Sequence, residues 1–179
     1  MQAMELAILD WIQKNLRCGV LDVLMPALSR TANDGEIWIL LAIVLVCIRS
    51  QRKHGFSVAC GLLLDLMAVN IVLKPLIDRV RPCAVNTAVD MLVAAPTSGA
   101  FPSGHTAAAF AVVFALKTAG SPLWKPALAV AIPMAFSRLY LYVHWPTDIL
   151  GGIVVGALVG WAGAKLVQLA ADRLNRKKA

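Results

Sequence analysis

Residues 55–77 form a 23-residue run that is apolar at most positions and long enough to cross the hydrocarbon core of a bilayer as a helix. Twelve consecutive apolar residues precede it at 37–48, and further apolar segments follow at 103–119, 124–143 and 146–169. In lipid, a helix satisfies its backbone hydrogen bonds internally, whereas loops do not. The sequence therefore predicts an all-α fold, a polytopic membrane helical bundle with five spans.

The composition agrees with this class of protein. Hydrophobic residues make up 59% of the 179-residue chain and charged residues 15%, with a mean hydropathy of +0.73, whereas globular domains carry about 25% charged residues. This length favours a single domain. Within it, residues 1–35 are expected to form amphipathic N-terminal helices and residues 36–179 the membrane-embedded core.

The N-terminal part contains two short helical segments. Residues 4–16 carry leucine and isoleucine at helical spacing, interrupted by Glu5 and Asp10, which is typical of a helix lying in the membrane interface. Residues 20–29 are too short to cross the bilayer. The alternative is that residues 6–28 form a short sixth span.

Basic residues cluster in three places, at 49–53, at 117–125 and at 173–178. The positive-inside rule assigns these ends, including the C-terminus, to the cytoplasm of a cell-membrane protein. The segments 31–36, 78–102 and 144–148 then share the extracytoplasmic face. Although the net charge is +7, nucleic-acid binding is not expected, because the charges lie between and after apolar helices and form no stripe.

Three segments on the extracytoplasmic face carry unusual polar residues. In the first, Lys74, Arg79 and Arg81 are cations on the face that the positive-inside rule depletes of them. Lys74 and Arg81 are seven residues apart, so they fall on one side of a helix, although Pro75 and Pro82 make that alignment approximate. These cations are either interfacial anchors or ligand-binding groups.

The second segment, residues 101–106, begins a helix. Ser103 can cap this helix, and Gly104 lets an anion approach free N–H groups at the positive helix end. His105 in the first turn would lie beside that anion. The alternative is a plain N-cap with an interfacial histidine.

The third segment places Arg138, His144 and Asp148 between two apolar helices, where ionisable side chains are functional candidates. Trp145 and Pro146 end the helix just after the histidine. A carboxylate four residues away can orient an imidazole and stabilise its cation. The alternative is an ion pair between Arg138 and Asp148, with His144 at the interface.

Together the segments supply cations, a helix N-terminus and two histidines, one of them supported by a carboxylate. This set suits phosphoryl transfer, in which cations and amides neutralise the phosphoryl oxygens, one histidine attacks phosphorus and the other protonates the leaving oxygen. Asp78, Asp90 and Asp148 are scattered along the chain. We therefore expect no site for Mg²⁺ or Zn²⁺ and no cofactor.

Three motifs now stand in order: K-x6-R-P at 74–82, P-S-G-H at 102–105 and S-R-x5-H-x3-D at 137–148. In order and spacing they resemble the signature motifs of the type 2 phosphatidic acid phosphatase superfamily. The resemblance implies a metal-independent lipid phosphatase with a phosphohistidine intermediate. In its small size the chain most resembles bacterial undecaprenyl pyrophosphate phosphatases. This resemblance implies undecaprenyl pyrophosphate as the substrate and an active site on the extracytoplasmic face.

The resemblance also implies a role for each motif residue. The phosphate-binding set would be Lys74, Arg81, Ser103, the backbone of Gly104, and Arg138. His105 would be the general acid and His144 the nucleophile, oriented by Asp148.

Other functions stay open. Phosphatidylglycerophosphate and phosphatidic acid are alternative substrates. A vanadate haloperoxidase would use the same anion pocket, although five apolar spans argue against it. A non-enzymatic lipid binder or transporter is the third possibility.

Several residues lie outside the motifs. Asp65, inside the second span, is expected to hydrogen-bond a neighbouring helix. The aromatic residues expected to form an interfacial belt are Tyr140, Tyr142 and Trp145. Cys18 and Cys83 are expected to be free thiols, with a disulfide between them as the alternative.

The sequence also predicts one close helix–helix contact and one helix cap. Gly152, Gly156 and Gly160 recur every four residues, a spacing that allows close helix packing, with 107–109 as the candidate partner face. Asn33 or Asp34 can cap the helix that follows them.

Overall fold

The computed structural model describes residues 2–33 and 35–176, so Asp34, Lys177 and Lys178 lie outside the described part of the chain. Within that part every regular element is helical, as predicted. The N-terminal elements are α1 (Gln2–Leu16) and α2 (Gly19–Arg30). The core continues with α3 (Glu36–Cys47), α4 (Arg52–Asp65), a π-helical segment (Leu66–Leu73), α5 (Lys74–Ile77) and the one-turn helix α6 (Pro82–Val85). It ends with α7 (Gly104–Thr118), α8 (Trp124–Tyr140) and α9 (Pro146–Arg176).

Among the described residues, two stretches are long and apolar enough to cross a membrane, Arg49–Val85 with 37 residues and Pro146–Arg176 with 31 residues. They contain the predicted second and fifth spans. Glu36–Cys47 is a shorter apolar helix. The helices α7 and α8 are also shorter, with 15 and 17 residues.

Helix α7 forms the centre of the bundle and packs against α4, α8 and α9. Four of its five alanines, Ala107, Ala109, Ala111 and Ala115, are fully buried, and small side chains let neighbouring backbones approach closely in lipid. Larger residues fill the space around them, including Trp38, Val58, Leu116 and Met134. Close van der Waals packing, rather than exclusion of water, is what holds helices together in a bilayer.

The predicted glycine spacing on α9 is confirmed as a packing surface against α7. A Cβ added at Gly156 would lie 2.3 Å from the carbonyl oxygen of Ala107, and one at Gly160 would lie 2.2 Å from that of Ala111. Gly152 faces the Ser103 carbonyl oxygen in the same way, at 2.8 Å. These contacts leave no room for any side chain.

Gly156→Ala is therefore expected to destabilise the protein, because its new methyl group would overlap backbone atoms that cannot move aside. Overpacking of this kind costs about 1–3 kcal/mol, which lowers the thermal midpoint in detergent. Gly19→Ala is the matched control, because no atom lies within 4 Å of the Cβ it would add. Equal midpoints for the two variants would contradict the packing argument.

The turn between α8 and α9 is covered by the N-terminal helices. Tyr140, Tyr142 and Trp145 are 1%, 1% and 0% exposed, so the predicted aromatic belt is wrong. The Tyr142 hydroxyl donates to Asp10 at 2.5 Å, and the Tyr140 hydroxyl donates to Asp22 at 2.6 Å. These residues face protein instead of lipid because α1 and α2 pack on the end of α8.

The outer surface of the bundle is strongly apolar. Leu40, Leu63, Val154 and Leu158 are each about 60% exposed, along α3, α4 and α9. An apolar surface of this extent is typical of a surface that faces a membrane or another protein. The four cysteines are free, so no disulfide links Cys18 to Cys83.

Helix α3 begins without the predicted side-chain cap from Asn33. Gly35 precedes it with a φ of 77°, a left-handed conformation that glycine adopts without strain. The turn frees Asn33 to face another part of the molecule, described below.

Candidate active site

The three motifs converge on one cavity of about 1070 Å³ at the end of the bundle where α7 and α9 begin. Its polar end is lined by Lys74, Arg81, Gly104, His105, Arg138 and His144. These are six of the eight predicted site residues. Ser103 and Asp148 do not line the cavity but lie directly behind it, and both are fully buried.

The cations of the cavity have no anionic partner within the described residues. Neither Lys74, Arg81 nor Arg138 takes part in any of the ion pairs that the structure shows. Arg81 and Arg138 are nevertheless only 6% and 4% exposed. Buried charges are normally paired, so this arrangement indicates a site for an anionic ligand.

The two arginines are held by neutral groups. Arg81 donates to the carbonyl oxygens of Ser98 and Val143, each at 2.8 Å. Arg138 donates through Nη1 to the hydroxyl of Ser29, and its buried Nε has no hydrogen-bond partner. These contacts fix both guanidinium groups and leave their charge available to an anion.

The start of α7 provides backbone donors beside these cations. A Cβ at Gly104 would lie 3.4 Å from Lys74 Nζ and 4.0 Å from Asn70 Oδ1, so glycine keeps this space open. Ser103 caps the helix as predicted, since its Oγ accepts from Thr106 N at 3.5 Å and from Thr106 Oγ1 at 3.0 Å. Its hydroxyl is therefore engaged within the helix.

His144 lies in the turn beyond α8 and is 2% exposed. Its Nδ1 lies 3.4 Å from Asp148 Oδ2, and its Nε2 lies 3.3 Å from Arg81 Nη1. Because an ionised carboxylate only accepts, Nδ1 carries the proton and Nε2 presents its lone pair on the side of the cations. The alternative ion pair between Arg138 and Asp148 is wrong, since Asp148 pairs with Arg79 at 2.6 Å.

Burial lowers the pKa of His144 to about 4, and Arg81 and Arg138 act in the same direction, against the hydrogen bond and charge of Asp148. Burial and the two arginines disfavour the imidazolium form, whereas Asp148 favours it. The imidazole is therefore neutral at pH 7, the protonation state that a nucleophile requires.

We expect the pH profile of kcat/KM in the free enzyme to report this pKa. Activity that needs neutral His144 is retained as the pH falls from 7 to 5 and is lost as the pH falls through about 4. The free energy of unfolding also decreases as the pH falls from 6.5 to 4, because in this range the unfolded chain binds the proton of His144 more readily than the folded protein does. An acidic limb centred near 6.5 would contradict this prediction.

His105 is held by the C-terminal end of α2. Its Nε2 lies 3.1 Å from the Ser29 carbonyl oxygen and 3.3 Å from Asn33 Oδ1. The carbonyl oxygen can only accept, so Nε2 carries a hydrogen and Nδ1 is the nitrogen left for proton exchange with a ligand. Ser29 thus contacts both His105 and Arg138, a role that sequence reasoning missed because Ser29 belongs to no motif.

Behind the polar end, the cavity continues as an apolar groove between α3 and α4. Its walls include Ile39, Ile43, Val46, Phe56 and Leu63. It runs towards Cys47, at the end of α3 opposite the cations.

Asp65 also lines the cavity and is 6% exposed, but its Oδ1 has no hydrogen-bond partner. The predicted hydrogen bond to a neighbouring helix is thus absent at this oxygen. Among the described residues, no group of three His, Cys, Asp or Glu side chains is placed to hold a metal ion.

Comparison with known proteins agrees with this architecture. The profile of the PAP2 superfamily matches residues 54–172. The undecaprenyl-diphosphatase BcrC of Bacillus subtilis is 30% identical over 146 residues, which are 79% of this chain and 72% of that protein. The decaprenylphosphoryl-5-phosphoribose phosphatase of Mycolicibacterium smegmatis is 39% identical over 128 residues, 70% of this chain and 68% of that protein.

Two solved structures share the fold. LpxE of Aquifex aeolicus superposes with a TM-score of 0.77 at 25% identity, covering 89% of this chain and 94% of that one. A PAP2-type phosphatidylglycerolphosphate phosphatase of Bacillus subtilis gives a TM-score of 0.72 at 23% identity, covering 96% of this chain and 86% of that one.

A helical bundle with an apolar outer surface and a cation-lined cavity is the architecture of a membrane protein with a site for an anionic ligand. The chain belongs to the PAP2 superfamily. It is a membrane lipid phosphatase, a hydrolase of phosphoric esters.

Proposed function

We propose that this phosphatase removes the terminal phosphate of a polyprenyl pyrophosphate, with undecaprenyl pyrophosphate giving undecaprenyl phosphate and inorganic phosphate. The observation that carries the proposal is a cavity whose cationic end opens into an apolar groove. Such a site suits a substrate with a charged head and a long hydrocarbon chain. Relatives named for undecaprenyl pyrophosphate hydrolysis, such as BcrC, add support.

The proposed reaction uses His144 as nucleophile. Lys74, Arg81 and Arg138, with the N–H groups at the start of α7, bind the phosphoryl oxygens and neutralise the charge that spreads over them in the transition state. His144 Nε2 attacks phosphorus in line, so that an N–P bond forms as the bond to the leaving oxygen breaks. Protonated His105 gives its proton to that oxygen.

In the second half-reaction, water attacks the phosphohistidine. Neutral His105 accepts the proton of that water, the N–P bond breaks, and inorganic phosphate leaves with His144 restored. Asp148 stabilises the positive charge that His144 carries while it is bonded to phosphorus. The cations and amides supply the charge neutralisation, so we propose that the reaction is independent of metal ions.

We further propose five membrane crossings, with the active site on the extracytoplasmic face and the C-terminus in the cytoplasm. The basic segments 49–53 and 117–125 lie at helix ends opposite the cationic end of the cavity, and Gln168 of α9 donates to the Thr118 carbonyl oxygen beside the second of them. This common end suits the cytoplasmic face. The short helices α3, α7 and α8 would then cross a locally thinned bilayer.

A second candidate substrate is a polyprenyl-linked phosphosugar. The relative from Mycolicibacterium smegmatis, which is named for a decaprenylphosphoryl phosphoribose, is 39% identical to this chain. Both candidates place a polyprenyl chain in the groove and differ in the leaving group. Phosphatidylglycerophosphate and phosphatidic acid remain as diacyl alternatives, with two hydrocarbon chains instead of one.

One assay separates these candidates. The purified protein in detergent with EDTA is offered polyprenyl pyrophosphate, decaprenylphosphoryl-5-phosphoribose, phosphatidylglycerophosphate and phosphatidic acid, and phosphate release is measured. We expect the highest kcat/KM with polyprenyl pyrophosphate. A preference for the phosphosugar selects the second candidate, and no release from any lipid contradicts the proposal. Activity that EDTA abolishes contradicts the metal-independent mechanism.

A further inference from the structure

Glu5 is an acidic residue on the amphipathic helix α1, yet it is only 5% exposed. Its Oε2 lies 2.7 Å from Arg79 Nη2, and its Oε1 accepts from Thr147 N at 3.1 Å and from Thr147 Oγ1 at 2.6 Å. Burial alone would raise the pKa of Glu5, but the hydrogen bonds from Thr147 and Arg79 outweigh it and lower the pKa. Glu5 is therefore a buried, ionised carboxylate beside the start of α9.

Arg79 connects this carboxylate to the histidine site. Its Nη1 donates to Asp148 Oδ1 at 2.6 Å and to Thr147 Oγ1 at 2.6 Å, while Nη2 binds Glu5. The guanidinium also lies over the ring of Trp145, 5.3 Å from its centroid. Arg79 is thus held between two carboxylates and does not line the cavity, whereas the arginines of the cavity are held by neutral groups.

Asp148 is held at both of its oxygens. Oδ1 accepts from Arg79, and Oδ2 accepts from Trp145 N at 2.8 Å and faces His144 Nδ1 at 3.4 Å. Rotation of this carboxylate would break at least one of these contacts. Arg79 therefore sets the plane in which Asp148 meets the imidazole.

We propose that Glu5 and Arg79 are positioning residues for the reaction, acting on His144 through Asp148. The proposal rests on the function proposed above, in which His144 is the nucleophile. It makes α1 a part of the active-site support rather than only an interfacial helix. Glu5 lies outside the three motifs, and Arg79 occupies an unspecified position within the first of them.

The charges explain why both residues are needed. Arg79 alone would neutralise Asp148 and weaken its stabilisation of the cationic His144 that forms on phosphoryl transfer. Glu5 offsets Arg79, so the group of three carries a net charge of about −1 beside the imidazole, where low polarity strengthens electrostatic effects. Arg79 orients the carboxylate of Asp148, and Glu5 restores the negative charge that stabilises the cationic His144.

The test compares Glu5→Gln with Asp10→Asn. Both replace a carboxylate of α1 by its amide, and both carboxylates accept a hydrogen bond near the start of α9, Glu5 from Thr147 in the first turn of α9 and Asp10 from Tyr142 in the preceding turn. We expect Glu5→Gln to lower kcat by about tenfold or more, the scale of a lost charge-assisted hydrogen bond in a buried site. KM and the inhibition constant of vanadate should change by less than about twofold, because the cavity cations are untouched. Asp10→Asn should leave kcat unchanged.

Arg79 gives an independent measurement. Arg79→Gln should lower kcat at least as far as Glu5→Gln, and Arg79→Lys should recover part of the loss because it keeps the charge. In the double variant with Glu5→Gln and Arg79→Gln the two losses should not multiply, because both act through Asp148. If the Arg79 variants do not fold, the comparison of Glu5→Gln with Asp10→Asn decides by itself.

Three outcomes overturn this inference: unchanged kcat in Glu5→Gln, equal loss in Asp10→Asn, or a loss that appears only in KM. Wild-type protein that releases phosphate from no lipid would instead overturn the proposed function. The thermal midpoint of each variant, measured in the same detergent, separates loss of positioning from loss of folded protein.

Discussion

His144→Asn is expected to lower kcat by a factor of about 10⁴ or more, the scale on which removal of a covalent nucleophile acts. Asparagine keeps a polar group in the turn but has no nucleophilic nitrogen. The expected result is loss of phosphate release together with loss of the phosphoenzyme. With a substrate labelled in the terminal phosphate, wild-type protein quenched in alkali should carry label, because the N–P bond survives alkali and is cleaved in acid.

His54→Asn is the matched control for this experiment. His54 lies at the start of α4, where its Nδ1 lies 2.6 Å from Gln51 Oε1, and it does not line the cavity. Its replacement should leave turnover unchanged. Label on a residue other than His144, or turnover in His144→Asn above about a tenth of wild type, would contradict the role of His144. A lipid binder or transporter of the same fold would retain its function in this variant.

Arg138→Ala is expected to lower kcat/KM by about 10³ to 10⁵, the range for an arginine that neutralises a transferring phosphoryl group. The buried Nε of Arg138 has no hydrogen-bond partner, and among the described residues Nη1 binds the neutral hydroxyl of Ser29. Arg138→Lys should restore little, because an ammonium lacks the planar pair of donors that matches phosphate. The inhibition constant of vanadate should rise in parallel, since the same group binds the ground-state anion.

Arg138→Ala is also expected to leave the thermal midpoint unchanged or higher. A buried charge without a carboxylate partner carries an uncompensated desolvation cost, which the alanine removes. Arg30→Ala, at the exposed end of α2, is the control for a general loss of positive charge. A variant that unfolds, or one that retains more than about a tenth of wild-type kcat/KM, would contradict the assignment of Arg138 to the anion site.

The fold was predicted from apolar runs and from the glycine spacing of α9, and both features have the predicted role in the structure. Apolar runs predicted helices because an apolar segment in lipid must pair its own backbone groups. Glycine at every fourth position of α9 predicted close packing, and each of these glycines faces a backbone atom of α7. Both patterns are local, since one segment of sequence carries the whole signal.

The motif residues were predicted to share a face, and the structure brings Lys74, Arg81, His105, Arg138 and His144 to one cavity. Their partners were less predictable. Tyr140 and Trp145 looked like interfacial residues because aromatic side chains next to a polar turn favour that position. In the structure, α1 and α2 cover that turn and bury them.

Hydropathy and motif spacing are properties of short segments, so the amino-acid sequence was enough to predict the helical membrane class and the residues of the candidate site. The pairing of Asp148 with Arg79 and, through Arg79, with Glu5 is visible only in the folded protein. Glu5 and Asp148 are 143 positions apart, and no local pattern encodes a contact over that distance. The pairing exists because packing of α1 against the start of α9 removes these charges from solvent. A charge buried in this way needs a partner of opposite sign.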